Sequence, residues 1–193
     1  MKKLNLVLLI ALTGTMLSGC AFLRELNAFT KCDFKFKNVT NVTLANISLQ
    51  NKKSLKEFSL VDGAKLLTAV ATNTVPLQLN VNLLVTNPNS VNAALSGGEW
   101  IFFIDSKEML RGNINQRVEI AANNGTAVLP LTMQLDLKKL LTKETKETLV
   151  NFALGLATQE GESTRVSLWI KPVIDIAGVK MNYPDYIRLG KAF

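Results

Sequence analysis

Apolar and polar residues change rhythm several times along this 193-residue chain, and each change predicts a different element. Leu4 to Leu12 form an apolar run broken only by Asn5 and preceded by Met1-Lys2-Lys3. From Asp33 onward short alternating runs take over. Phe34 and Phe36 alternate with Lys35 and Lys37, and Asn38 to Leu49 is rich in β-branched residues, which predicts a half-exposed strand and then one or two more. Leu77, Leu79, Val81, Leu83 and Val85 alternate with Gln78, Asn80, Asn82 and Leu84, the clearest strand in the chain. It stops at Asn87-Pro88-Asn89, where proline cannot donate to a ladder and asparagine side chains bond turn backbone. Residues 60–72 read either as a short helix or as an irregular connection.

Further along, Gly97-Gly98 precedes Glu99 to Ile104, apolar on both faces: a strand covered on both sides, or an interior strand beside a helix. Asp105-Ser-Lys107 suits a hairpin turn, Val118 and Ile120 a strand, Asn123-Asn124-Gly125 a turn, and Ala127 to Leu135 the next strand. The β rhythm breaks once. Leu137, Leu140, Leu141, Leu149, Phe152, Ala153 and Leu156 fall at helical spacing, predicting an amphipathic helix over 137–156 with Asp136 as its N-cap. Its apolar stripe either closes a face of the β domain or binds a membrane or partner. Arg165 to Ile176 is another alternating strand, Ala177-Gly178 a turn, and Val179 and Met181 mark a last short strand before a basic end at Arg188 and Lys191.

The apolar run at the start is too short to cross a bilayer, which needs about 20 residues, but has the length of a secretory signal. It ends at Leu17-Ser18-Gly19-Cys20, which resembles the lipobox of bacterial lipoproteins. That resemblance implies acylation of the Cys20 thiol, cleavage before it and acylation of the new amine. The alternative is an ordinary signal peptide with an incidental cysteine. The resulting plan is a removed signal at 1–19, a lipid anchor and short tether at 20–32, and one domain at 33–193. Ala21 at the position after the cysteine implies an outer-membrane address facing the periplasm. Phe22, Leu26 and Phe29 give the tether helical spacing, and it lacks the Gly/Ser composition of a flexible linker.

Charge and residue usage narrow the chemistry. The formal charge is +7. Without residues 1–19, 20 basic residues face 15 acidic ones, which suits weak attraction to an anionic membrane. The basic residues are scattered, without the aromatic interleaving of a nucleic-acid surface, and no nucleic-acid partner is expected. Histidine is absent, so Ser-His-Asp and Cys-His arrangements and any histidine-bearing zinc site are excluded. The acids Asp33, Glu57, Asp62, Glu99, Asp105, Glu108 and Glu119 form no paired motif, and no phosphate-cradling glycine loop occurs. Lys56 and Ser59 stand in the wrong order for a Ser-Lys pair, and Ser163 to Val166 lacks the lysine. No catalytic residue, metal ligand or cofactor site is expected. Acylation of Cys20 would leave Cys32 without a disulfide partner, either buried near the first strand or exposed as a reactive or dimer-forming thiol.

The apolar strand running into Asn87-Pro88-Asn89, the later Leu110-Arg111-Gly112 and the alternating strand ending in leucines from Leu129 to Leu137 resemble the group 2 late-embryogenesis-abundant domain. This is also called the water-stress-and-hypersensitive-response domain. The resemblance implies an antiparallel β-sandwich of the fibronectin type III kind, a link to desiccation and stress tolerance, and no agreed catalytic activity. Asn87, Pro88 and Asn89 are its motif residues, expected to be structural. The helix at 137–156 is longer than the simplest family pattern. Three functions are compatible with these features. One is an envelope protein that binds or shields other macromolecules, another a carrier of lipid or another apolar ligand, the third a structural subunit docking on an outer-membrane assembly through a strand edge.

Overall fold

The computed structural model describes residues 32–104, 106–140, 146–158, 165–176 and 179–192. They form two antiparallel sheets packed face to face, a mainly β sandwich. The first has the order β2-β1-β3-β7 and comprises β1 (Asp33–Leu44), β2 (Ile47–Ser48), β3 (Pro76–Asn87) and β7 (Gly125–Asp136). The second has the order β10-β8-β4-β5, with β4 (Ala93–Ile104), β5 (Lys107–Ile114), β8 (Arg165–Ile176) and β10 (Ile187–Ala192). Short strands β6 (Val118–Ile120) and β9 (Val179–Asn182) extend its two margins by pairing with β4 and β8.

The pleat explains the inner faces. Leu77, Leu79, Val81 and Leu83 of β3 lie opposite Leu135, Met133, Leu131 and Leu129 of β7, and all eight are buried. Trp100, Phe102 and Ile104 of β4 meet them from the other sheet, with Val166, Leu168 and Ile170 of β8, in one continuous apolar core. Outward-facing positions on the first sheet are mostly polar, Leu84 and Val128 excepted: Asn82 Nδ2 donates to Asn38 Oδ1 (2.9 Å) and Thr40 Oγ1 (3.1 Å). Over 33–49, where one strand and one or two more are expected, the structure has two, and β1 runs past Lys37 to Leu44. It absorbs two register shifts, with Asn41 at φ 55°, and then turns through Ala45 and Asn46 at φ 49° and 60°, a two-residue hairpin.

Residues 60–72 resolve in favour of helix. α1 (Leu60–Ala71) opens with a capping box in which the Ser59 hydroxyl accepts from Asp62 N and the Asp62 carboxylate accepts from Ser59 N. The helix expected over 137–156 is present at both ends, as α2 (Leu137–Leu140) and α3 (Lys146–Thr158), while residues 141–145 lie outside the described part. Asp136 Oδ1 accepts from Lys138 N (3.1 Å) as the cap of α2, and also from Val75 N (2.9 Å). α3 packs on β1 through Val150, Ala153, Leu154 and Leu156. The face is turned relative to the expected stripe, with Val150 and Leu154 buried and Phe152 only partly covered.

One expectation is overturned and one is narrowed. The basic end is a strand: β10 pairs with β8 from Ile187↔Ile170 to Ala192↔Arg165. Its two bulky apolar residues, Ile187 and Leu189, were too few among Arg188, Gly190 and Lys191 to mark it. Glu99 to Ile104 is an interior strand between β8 and β5, and its outer-face Phe103 is covered by Trp169 of the neighbouring strand rather than by a second layer. The turns at Asp105 and Ala177-Gly178 include residues outside the described part.

Candidate interaction face

Leu17, Ser18, Gly19 and Cys20 lie outside the described residues, as does the tether up to Lys31. The described chain begins at Cys32, next to β1. Cys32 is half-buried, and burial pushes its thiol up to about 11, so the nucleophilic thiolate is scarce at neutral pH. Neither sequence alternative describes it fully, since it is partly covered.

Asn87 is the one buried polar side chain in the described core, with 0% exposure. Its Nδ2 donates to Val91 O (2.8 Å) and Ile120 O (3.1 Å), and its Oδ1 accepts from Asn89 N (3.1 Å) and Asn89 Nδ2 (2.8 Å). All the hydrogen-bonding capacity of the amide is used. Its backbone carbonyl accepts from Asn124 N, and Asn89 O accepts from Asn123 N. The side chain therefore joins the end of β3, the loop to β4 and the end of β6, and the backbone carbonyl adds the β6–β7 turn. Pro88 is exposed between the two asparagines. A saturated amide of this kind has nothing left to offer a ligand.

Two cavities bear on binding. An apolar crevice between the sheets, beside Phe36, Val39, Phe102, Leu156 and Leu189, has a volume of about 20 Å³, room for about one water molecule and not for an acyl chain. A polar cleft of about 270 Å³ opens on the outer face of the second sheet, between Gly98, Glu99, Asn113, Lys171, Val173 and Asn182. At the cleft, Gly98 lets β4 and β8 approach closely. Its φ is 146°, and a Cβ there would sit 2.6 Å from Lys171 O.

Beside the cleft stands a cluster of aromatic and charged side chains. Trp169 packs on Phe103 with centroids 4.6 Å apart and faces Tyr186 at 6.1 Å. Arg188 lies over the Trp169 ring at 4.3 Å, and Lys171 over Tyr186 at 5.7 Å. The Tyr186 hydroxyl donates to Glu99 Oε1, which together with its surroundings holds the phenol above its ordinary pKa. Arg111 grips Glu108 in a forked pair at 2.7–3.0 Å, and that hydrogen bond raises the guanidinium pKa. Sequence reading missed this cluster, although a signal existed. With Val166, Leu168 and Ile170 turned inward, strand alternation places Trp169 and Lys171 outward.

Among the described residues no group of three acidic or cysteine side chains is placed to hold a metal ion, and no helix is long and apolar enough to cross a membrane.

No family profile and no curated protein matches the chain. Several solved structures are similar to it in part. One is a solution structure described as a candidate late embryogenesis abundant (LEA) protein, At2g46140.1, with a TM-score of 0.39 and 12% identity over 95% of this chain and 85% of that one. Another is AT1g01470 from Arabidopsis thaliana, with a TM-score of 0.36 and 19% identity over 62% of this chain and 71% of that one. A protein from Archaeoglobus fulgidus gives a TM-score of 0.38 and 17% identity over 61% and 84%. At TM-scores below 0.5 none of these carries an argument about family or activity.

Proposed function

We propose that this chain is a non-enzymatic, lipid-anchored protein of a bacterial cell envelope, whose sandwich binds and shields other macromolecules in the manner of a desiccation-stress domain. The observation that carries the binding role is the outer face around Trp169. Tryptophan, tyrosine and arginine held together on a rigid sheet beside a polar cleft are the residue types that dominate binding energy at interfaces. Anchoring rests on the sequence Leu17-Ser18-Gly19-Cys20, with outer-membrane residence facing the periplasm implied by Ala21. In this reading the domain is the whole of 33–193, and catalysis has no part in it.

The carrier alternative is weakened by the small volume of the apolar crevice. Docking through a strand edge is weakened by how two edges are dressed. On β7, Pro130 has no N–H to offer, and its carbonyl already accepts from Gln116 Nε2 (3.1 Å). On β5, Lys107, Glu108 and Arg111 are exposed.

Two experiments test the proposal separately. Cys20→Ala in the full chain is expected to abolish acyl labelling and leave the precursor uncut in the inner membrane. Normal cleavage and release of the variant would end the lipoprotein reading. For shielding, the protein is added to a labile enzyme before drying, and it should preserve more activity than an equal mass of an unrelated β-sandwich. Arg188→Ala, which removes only an exposed guanidinium over Trp169, should bring protection down toward that control with the unfolding midpoint unchanged, whereas Trp169→Ala, which also uncovers Phe103, should lower both. Equal protection by the unrelated protein would remove the shielding role.

A further inference from the structure

We propose that α1 is a lipid-contacting element that lays its outward face on an anionic membrane surface. Leu60, Val61 and Leu67 are 95%, 65% and 58% exposed, the largest exposures of bulky apolar side chains among the described residues. With Ala64, Thr68 and Ala71 they recur at spacings of one, four, seven, eight and eleven, which places them on one side of the helix. The opposite side is the one held by the protein, through buried Leu66 and partly buried Ala69 and Val70. The helix thus presents an apolar stripe to solvent where an ordinary surface helix presents a polar one.

The stripe continues into an open groove of about 520 Å³ between α1 and the β1–β2 turn, lined by Ala45, Val61, Ala64, Thr68, Ala69 and Pro76 among others. The threonine hydroxyls do not make this wall polar. Thr68 donates to Ala64 O (2.9 Å) and Thr72 to Thr68 O (3.0 Å), both within the helix.

Charge chooses the occupant. Lys53 and Lys56 precede the helix and Lys65 flanks the stripe; all three are exposed and have no acidic partner among the described residues. Lys52 is neutralised by Asp62 at 3.2 Å, whose carboxyl is held below its ordinary pKa first by the Ser59 backbone N–H and then by Lys52. Glu57, also exposed, accepts from the Lys53 backbone N–H (2.9 Å), so residues 52–65 set four lysines against two acids. An apolar helical face rimmed by that net positive charge suits an anionic headgroup layer, with the leucines at the acyl boundary. A second copy would bring like charges together across a two-fold contact.

The reach of the chain agrees. β1 enters the sheet beside Cys32, and α1 leads into Pro76, whose neighbour Leu77 pairs with the far end of β1 at Leu44. A strand of twelve residues is about 40 Å long. Eleven residues lie between Cys20 and Cys32, and fully extended they reach at most about 40 Å, so a chain held at residue 20 can lie lengthwise with α1 on the same bilayer. The contact does not depend on acylation, since an uncut apolar leader would hold the chain at the same place.

The test uses the full chain purified from membranes, reconstituted in vesicles of phosphatidylcholine alone or rich in phosphatidylglycerol, with hydrogen exchange followed by mass spectrometry. Amides of residues 60–71 should exchange about tenfold more slowly on the anionic vesicles than on the neutral ones, while β3 serves as an unchanged reference. Added salt, the pair Lys53→Glu and Lys65→Glu, and the pair Leu60→Asp and Leu67→Asp should each remove the difference. Exchange that is the same on both vesicles and in detergent overturns the inference. So does slowing that rises with protein density on neutral vesicles, which reports a second copy, or slowing that requires an added envelope protein. The N-terminal mass of the same sample reports acylation of Cys20 independently.

Discussion

Asn87→Ala is expected to lower the unfolding free energy by about 3–4 kcal/mol, the largest loss from any single polar substitution in the described core. The substitution removes two hydrogen bonds donated to Val91 O and Ile120 O and one acceptor shared by Asn89 N and Nδ2. The Ile120 carbonyl contact is fully buried, so water cannot replace what is lost there. Asn89→Ala removes the side-chain bond to Asn87 Oδ1 at a partly exposed position and should cost about 1 kcal/mol. Asn87→Asp separates amide chemistry from size. It turns the donor into an oxygen facing two carbonyls and introduces a buried charge. That variant should be less stable than the alanine variant at neutral pH and recover part of the difference in acid, where a protonated carboxyl can donate once. Urea unfolding of the four proteins checks all of this. If Asn87→Ala matched Asn89→Ala, the buried amide would not be the clamp that its contacts imply.

The inequality of these two asparagines shows what sequence could convey. An Asn-Pro-Asn after an apolar strand reads as a turn, and both asparagines look like turn residues of equal worth. The burial of Asn87 comes from β6 and the β6–β7 turn, which close over it from more than thirty residues away. That information is not local. The same holds for the outer-face cluster, where Glu99, Trp169, Tyr186 and Arg188 converge from three strands and a loop. By contrast β3, β7 and β8 were legible because a sheet buried on one face imposes a period of two on each strand separately. β10 was not, because an edge strand needs little apolar surface and takes its order from β8. The stripe on α1 escaped notice for another reason. The helix has apolar residues on both sides, and only the structure says which side the protein keeps.

Trp100 and Gly112 make a second sharp case, since neither is intelligible alone. They are direct cross-strand partners on β4 and β5, and the Trp100 ring lies over the space where a Gly112 side chain would begin. A Cβ at 112 would stand 2.3 Å from Cζ2 and 2.6 Å from Cε2 of that ring, closer than real carbon contacts allow. Gly112→Ala should therefore cost about 2–3 kcal/mol by overpacking, although alanine is ordinarily the better strand residue. Trp100→Leu should cost about 3 kcal/mol, because a 4% exposed ring is replaced by a smaller side chain that leaves a void. The two losses should not add. With leucine at 100 the space over residue 112 is open, and the alanine methyl occupies part of the void. The double variant should then be no less stable than Trp100→Leu alone, a coupling of about 2 kcal/mol in a double-mutant cycle. Chemical unfolding of the four proteins measures it. Additive losses would mean that Gly112 is required by its own backbone, and that the indole ring merely rests beside it.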